Sequence, residues 1–62
     1  MSLQEEMIRY RAKKRISQTE LARRCGLTVQ TINSVENGSQ TPSKLTEAKI
    51  KMILEEKNNV EN

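Results

Sequence analysis

Histidine, tryptophan and phenylalanine are absent from this 62-residue chain, and tyrosine, cysteine and proline each occur only once. Without histidine the chain lacks the commonest general base, and no set of its side chains has the spacing of metal ligands. Its two glycines do not form a phosphate-binding loop. The single cysteine, Cys25, cannot make an internal disulfide, so the fold does not depend on an oxidising compartment. We therefore expect no metal or cofactor, and we predict that the protein is not an enzyme.

Long apolar runs are missing as well. No run of about 18 apolar residues occurs, so we expect no membrane span, and the polar, acidic start of the chain does not resemble a signal peptide. A cytoplasmic location is the default expectation. A chain of 62 residues has room for one hydrophobic core but not for a deep pocket as well. We therefore expect a single domain without a small-molecule ligand, its core built from aliphatic residues and methionine.

The net charge of +3 is unevenly distributed along the chain. Residues 1–44 contain eight Lys or Arg and four Glu, whereas residues 45–62 contain three Lys and four Glu. An excess of positive charge confined to one part of the chain suits a nucleic-acid partner. It also fits a surface whose charge only keeps the protein soluble. Charge alone leaves both interpretations open.

Helical periodicity predicts an all-α fold, a small helix-turn-helix bundle of four helices at about residues 2–14, 18–25, 29–36 and 42–56. Two helix starts have the capping-box pattern, in which a serine caps the first turn and a glutamate three residues later reaches back. The first box is Ser2 with Glu5, and the second is Ser17 with Glu20.

The remaining helix boundaries are predicted from single residues. Thr28 is the expected N-cap of the third helix. For the fourth helix we expect Thr41 as the N-cap and Pro42 in the first helical position, where proline is well tolerated. Gly26 ends the second helix and Asn37–Gly38 ends the third, because glycine readily adopts the left-handed conformation found after many helices.

Residues 18–37 form the most informative segment, because two short helices are joined there by a tight turn of about three residues. Ala22 must be small where the helices cross, and Gly26 must adopt a backbone angle that a Cβ atom would penalise. The apolar residues needed to seal the corner are all present: Leu21, Cys25, Leu27, Ile32 and Val35. Together these features predict a helix-turn-helix.

Two segments resemble a known family: Ser17–Gly26 (SQTELARRCG), and Thr31–Gly38 (TINSVENG) with Pro42 after it. The resemblance is to the lambda-repressor and Cro-like helix-turn-helix proteins, also called the xenobiotic-response-element family, and it covers about residues 7–45. It implies a Cro/C1-type DNA-binding domain, which we place at residues 1–57.

The resemblance also implies how such a domain works. The third helix is expected to enter the major groove of double-stranded DNA, and two copies are expected to bind a near-palindromic operator. In the family Gln18 commonly contacts a phosphate and braces the first residues of the third helix. Asn37 and the amides beside Gly38 commonly approach the DNA backbone. At the positions of Arg11 and Glu36, family members commonly have an arginine and a glutamate that pair with each other. We therefore expect Arg11 and Glu36, like Ala22 and Gly26, to be structural.

The chain departs from the family in two ways. Many members have glycine where this chain has Arg15, and many continue into a fifth helix, whereas we predict only a polar tail at residues 58–62. We therefore expect the homodimer interface to be rebuilt on the apolar fourth helix, at Ile50, Ile53 and Leu54.

The candidate DNA contacts lie on the third helix and on the segments around it. Base contacts are predicted for Val29, Gln30, Asn33 and Ser34. Contacts with the DNA backbone are predicted for Ser17, Gln18, Arg23, Thr28, Thr31, Asn37 and Lys44. Gln30 is the foremost base reader, since a glutamine can pair with the N6 and N7 edge of adenine. Each of these side chains also fits an ordinary solvated surface, and Val29 also fits a partial core contact.

These features predict a transcriptional regulator that binds an operator as a homodimer, most often a repressor. Two other functions stay open. A protein-docking adaptor or antitoxin would use the apolar face of the fourth helix to bind a different protein. An activator would touch polymerase, with Glu20 as the candidate residue.

Overall fold

The computed structural model describes residues 2–55, and within that range the chain forms four helices and no strand. They are α1 (Leu3–Lys14), α2 (Gln18–Cys25), α3 (Val29–Glu36) and α4 (Lys44–Leu54). The all-α prediction is confirmed, and the bounds of α2 and α3 agree with those expected from the sequence. The end of the domain predicted at residue 57 and the tail at 58–62 lie outside the described residues.

The first three helices begin at the predicted caps. The Ser2 side chain accepts the Glu5 amide and the Glu5 carboxylate accepts the Ser2 amide, so the first capping box is complete. Ser17 caps α2 by accepting the Glu20 amide at 3.1 Å. In the second capping box only this bond forms. The Glu20 carboxylate is paired with Arg23 and Arg24 of its own helix instead of reaching back to the Ser17 amide.

The start of α4 differs from the prediction. Thr41 is not its cap and Pro42 is not its first residue; Ser43 is the N-cap, and the helix begins at Lys44. The Ser43 hydroxyl accepts the Thr46 amide at 3.2 Å and donates to the Thr46 hydroxyl. These two bonds fix the first turn two residues later than expected. The helix ends at Leu54 with Glu55 as its C-cap, and the predicted end at residue 56 lies outside the described residues.

Two helices end on left-handed residues. Gly26, at φ +72°, ends α2, and its amide donates to the Ala22 and Arg23 carbonyls. Arg15, at φ +59°, ends α1. Arg15 stands where many members of the family have glycine. It adopts the left-handed conformation that glycine favours at this position.

One fully buried residue from each helix forms the centre of the core. These residues are Met7, Leu21, Ile32 and Ile50. Ala22 is 3 % exposed, which agrees with the small side chain expected at this position. The core thus holds α2 and α3 in a fixed relation and leaves the opposite side of α3 toward solvent.

Ile50 is fully buried, whereas we expected it on a dimer surface. Ile53 and Leu54 are partly buried and pack against the core. The large exposed apolar residues of α4 are instead Leu45 and Met52, at 68 % and 73 % exposure. Apolar residues surround most of α4, so the periodicity did not show which side packs inward.

Candidate nucleic-acid interface

The eight residues of α3 divide into a buried side and an outward side. Ile32, Val35 and Glu36 are buried. Gln30 and Asn33 are exposed, and Ser34 is half-buried. At 100° per residue, Gln30 lies near the middle of the outward side. This side of α3 is polar and is not covered by residues 2–55 of the chain itself.

The first turn of α3 is held by a threonine cap. The Thr28 hydroxyl accepts the Thr31 amide at 3.2 Å, and the two hydroxyls lie 3.0 Å apart. Val29 follows at 43 % exposure, so it is an apolar side chain at the exposed start of the helix. The predicted contacts Thr28, Val29, Gln30 and Thr31 therefore form one continuous helix start.

A buried carboxylate joins α1, α2 and α3 behind this surface. Arg11 Nε and Nη2 donate to the two Glu36 oxygens at 2.7 and 2.9 Å, and Gln18 Nε2 donates to Glu36 Oε1 at 2.9 Å. Burial disfavours the Glu36 anion, but the hydrogen bonds from Arg11 and Gln18 and the charge of Arg11 outweigh it. The pKa of Glu36 is therefore lowered, and the pKa of Arg11 is raised mainly by its hydrogen bond to Glu36.

Gln18 connects this ion pair to the DNA-facing side of α3. Besides Glu36, its Nε2 donates to Asn33 Oδ1 at 3.4 Å. The resemblance implied a brace on the first residues of the third helix. The structure places the Gln18 contacts farther along, at the fifth and eighth residues of α3.

The arginines of α2 share one carboxylate. Arg23 and Arg24 donate to Glu20 at 3.3 and 3.0 Å, and these bonds lower the pKa of Glu20, the bond from Arg24 contributing most. Arg24 also donates to the Tyr10 hydroxyl at 3.1 Å, which ties α2 to α1. The Arg23 side chain is 79 % exposed, so it remains accessible to a phosphate.

The segment after α3 is turned tightly. Asn37 Oδ1 accepts the Ser39 amide at 2.9 Å, and Gly38 adopts φ +78°. A Cβ at Gly38 would lie 2.8 Å from Gln4 Nε2, an atom that donates to the Glu36 carbonyl. Sequence reasoning missed Gln4, because no pattern along one helix indicates that its side chain reaches the end of another.

Lys44 and Ser17 both lie at helix starts. Lys44 is the exposed first residue of α4, and Ser17 is the exposed N-cap of α2. A helix start carries partial positive charge and unpaired amides, which favours anions. Among residues 2–55 no group of three or more metal-ligating side chains is close enough to hold an ion.

A family model described as helix-turn-helix matches residues 7–57. The chain therefore belongs to the Cro/C1-type helix-turn-helix proteins, the xenobiotic-response-element family. Among curated proteins and solved structures no significant match was found.

Membership of this family makes the protein a DNA-binding transcription regulator whose partner is double-stranded DNA. The family is a DNA-binding regulatory domain and not an enzyme family. No helix in the described part of the chain is long and apolar enough to cross a membrane.

Proposed function

We propose that the protein is a repressor that occupies a near-palindromic operator as a homodimer, with α3 in the major groove. The observation that carries this proposal is the outward side of α3. Gln30 and Asn33 are exposed there, on a helix whose other side is anchored by Ile32, Val35 and Glu36. A rigid helix with an uncovered polar side is what major-groove reading requires.

Base discrimination is assigned to four residues of α3. Gln30 is the central reader and offers both a donor and an acceptor to a base edge. Asn33 and Ser34 lie to either side of it, and Val29 supplies an apolar contact for a thymine methyl group. All four belong to one eight-residue helix, so they would read only a few adjacent base pairs.

Positioning on the DNA backbone is assigned to residues around the rim of this surface: Ser17, Gln18, Arg23, Thr28, Thr31, Asn37 and Lys44. For Gln18 the proposed group is the backbone amide in the first turn of α2, where no intrahelical carbonyl accepts it. Its side-chain nitrogen already donates to Glu36 and Asn33. These contacts would orient the domain without reading sequence.

The dimer proposal rests on the size of the domain and on the exposed side of α4. A single module of this kind buries only about 600–1,000 Å² on DNA, so one copy would bind weakly. Leu45 and Met52 are seven residues apart, so they lie on the same side of α4, and both are more than two-thirds exposed. We assign the contact between copies to this pair in place of the buried Ile50.

The test is a comparison of Gln30→Ala with the wild type on two DNAs: an operator selected from a random library, and unrelated DNA. We expect the variant to lose about 1–3 kcal/mol, or about 5- to 150-fold in affinity, on the operator and little on unrelated DNA. Gln40→Ala is the matched control, because it removes an exposed glutamine outside α3. Equal losses on both DNAs for Gln30→Ala would contradict base reading by this residue.

A further inference from the structure

The side-chain amide of Gln18 has a fixed orientation. Its nitrogen faces Glu36 Oε1 at 2.9 Å, and a glutamate ionised by its pairing with Arg11 can only accept hydrogen bonds. Turning the amide over would place the Gln18 carbonyl against this carboxylate, two acceptors facing each other. The Gln18 nitrogen must therefore point toward Glu36, and so must one of its two hydrogens.

The second hydrogen of the same nitrogen is directed at Asn33. The distance from Gln18 Nε2 to Asn33 Oδ1 is 3.4 Å, so this hydrogen bond is weaker than the one to Glu36. In both bonds the Gln18 nitrogen is the donor. An amide nitrogen has no acceptor capacity, so Asn33 can meet it only with its carbonyl oxygen. The Asn33 carbonyl is thus turned toward α2, and its NH₂ group is left for the solvent side of α3.

We propose that Asn33 reads DNA as a hydrogen-bond donor only, and that it selects guanine and disfavours adenine at the base pair it contacts. This inference rests on the proposed placement of α3 in the major groove. An asparagine with both groups available pairs with adenine, donating to N7 and accepting from the N6 amino group. Here the Asn33 carbonyl is turned toward Gln18 on α2, so on the DNA side the adenine amino group would meet the Asn33 amino group, donor against donor.

Guanine presents the complementary edge. Its N7 and O6 atoms are adjacent acceptors in the major groove, and the NH₂ group of Asn33 has two hydrogens to donate. Thymine offers one acceptor, O4, and cytosine offers only a donor at this edge. The expected order of preference at this position is therefore guanine, then thymine, with adenine and cytosine disfavoured.

Gln18 acts in this scheme as a positioning residue, because its effect reaches the DNA through Asn33. The series of hydrogen bonds begins at Arg11, which can only donate, and continues to Glu36, whose carboxylate can only accept. Each partner fixes the orientation of the next. The buried ion pair thus determines which hydrogen-bonding group the exposed Asn33 presents.

The experiment is selection from a randomised DNA library followed by sequencing, with the wild type, Asn33→Ala, Gln18→Ala and Gln30→Ala. The Asn33 position is the base pair whose preference disappears in Asn33→Ala. We expect the wild type to favour guanine over adenine there by at least about 5-fold. Gln18→Ala frees the Asn33 carbonyl, so the ratio of adenine to guanine should rise at this position. Gln30→Ala should change a different base pair.

Asn33→Asp tests the same idea without touching the interhelical contacts of Glu36. It replaces the exposed amide by a group that only accepts, so the preference for guanine should be lost while the variant stays folded, as a circular-dichroism melt would show. The same melt checks that Gln18→Ala is folded at the temperature of selection.

Three results would overturn the inference while leaving the proposed function intact. They are adenine selected by the wild type at the Asn33 position, an unchanged adenine-to-guanine ratio in folded Gln18→Ala, and no altered base pair in Asn33→Ala. A wild type that binds DNA without sequence preference would instead overturn the proposed function, and the inference with it.

Discussion

Glu36 is the residue on which the three helices of the DNA-binding surface converge. Its carboxylate is held by Arg11 from α1 and by Gln18 from α2, and its own backbone carbonyl accepts from Gln4. Such a group stabilises the fold only while it is charged, since burial of the neutral acid would forfeit the charge-assisted bonds. The stability of the domain should therefore respond to pH through this residue.

We predict that acid destabilises the wild type through Glu36. The pKa of Glu36 is lowered in the folded state, so its contribution is complete above the ordinary value of 4.5 and is lost as the pH falls through the lowered pKa. Urea unfolding at a series of pH values measures this effect. Glu36→Gln should be less stable at pH 7 and should lack this part of the acid loss.

The control for that series is Glu47→Gln, which removes a half-buried carboxylate of α4, paired with Lys51 of the same helix, and keeps Glu36. It should show the same acid loss as the wild type. If Glu36→Gln retained the wild-type pH dependence, the ion pair with Arg11 would not be the source of it.

The backbone of Arg15 has a conformation that is strained for arginine but would not be strained for glycine. A non-glycine residue in the left-handed conformation is disfavoured by about 1–2 kcal/mol, and Arg15 has φ +59°. We predict that Arg15→Gly raises the free energy of unfolding by up to about 1 kcal/mol, since the greater flexibility of glycine in the unfolded chain offsets part of the gain.

Lys14→Gly is the matched control, because it also removes one positive charge but lies within α1. It should lower the free energy of unfolding by about 1 kcal/mol. Thermal melts of both variants measure the difference. A lower melting temperature for Arg15→Gly would mean that the Arg15 side chain contributes more than its backbone strain costs.

At the scale of the helices, local signals predicted most of the fold. Ser2, Ser17, Thr28 and Gly26 each act within one turn of their own position, so the sequence alone places three helix starts and the end of α2. The start of α4 was predicted wrongly because Thr41, Pro42 and Ser43 all favour helix starts. The choice between them depends on how the loop packs.

The family resemblance implied the pair of Arg11 and Glu36, which the structure confirms, but the other contacts between helices did not follow from the sequence. The bonds from Gln18 to Asn33, from Gln4 to the Glu36 carbonyl and from Arg24 to Tyr10 join residues 14 to 32 positions apart. They depend on the angle and distance between packed helices, which periodicity does not give. The candidate residues for base contacts could be predicted as a group. Which of them turns a hydrogen-bond donor or an acceptor toward the DNA could not be predicted.

The crossing of α2 over α3 allows a test of the helix-turn-helix geometry. Ala22 is the small residue expected at this crossing and is 3 % exposed, so Ala22→Leu would overpack the core. We predict a loss of about 1–3 kcal/mol in the free energy of unfolding and weaker DNA binding at the temperature where the variant begins to unfold.

Ala12→Leu is the matched control for this variant, since Ala12 is an exposed helical alanine in α1. It should change stability by less than about 0.5 kcal/mol. Equal stability of the two variants in denaturant titrations would show that the space between α2 and α3 accommodates a larger side chain.

At the scale of the whole molecule, the reading surface and the proposed dimer surface lie on different helices. The first is on α3, and the second is the Leu45 and Met52 side of α4. Two copies joined through α4 would present two α3 helices to one side of the DNA. We expect half-sites centred about 34 Å apart, one turn of the duplex.

The dimer is tested by replacing Leu45 and Met52 together with glutamate. We predict that this double variant sediments as a monomer and binds a single half-site and a full operator with similar affinity. Ile8→Glu is the control, because Ile8 is an exposed apolar residue of α1, 48 % exposed, outside the proposed surface. A wild type that is monomeric at high concentration, or that captures only a different protein through α4, would contradict the homodimer.

The core has a consequence for how the domain unfolds and how long each copy survives. Because every helix contributes one of the four sealed side chains, Met7, Leu21, Ile32 and Ile50, no helix can detach without opening the interior. Unfolding is therefore expected to be all-or-none, and bound DNA should shift that equilibrium by mass action. Copies bound to DNA should therefore be degraded by proteases more slowly than free copies.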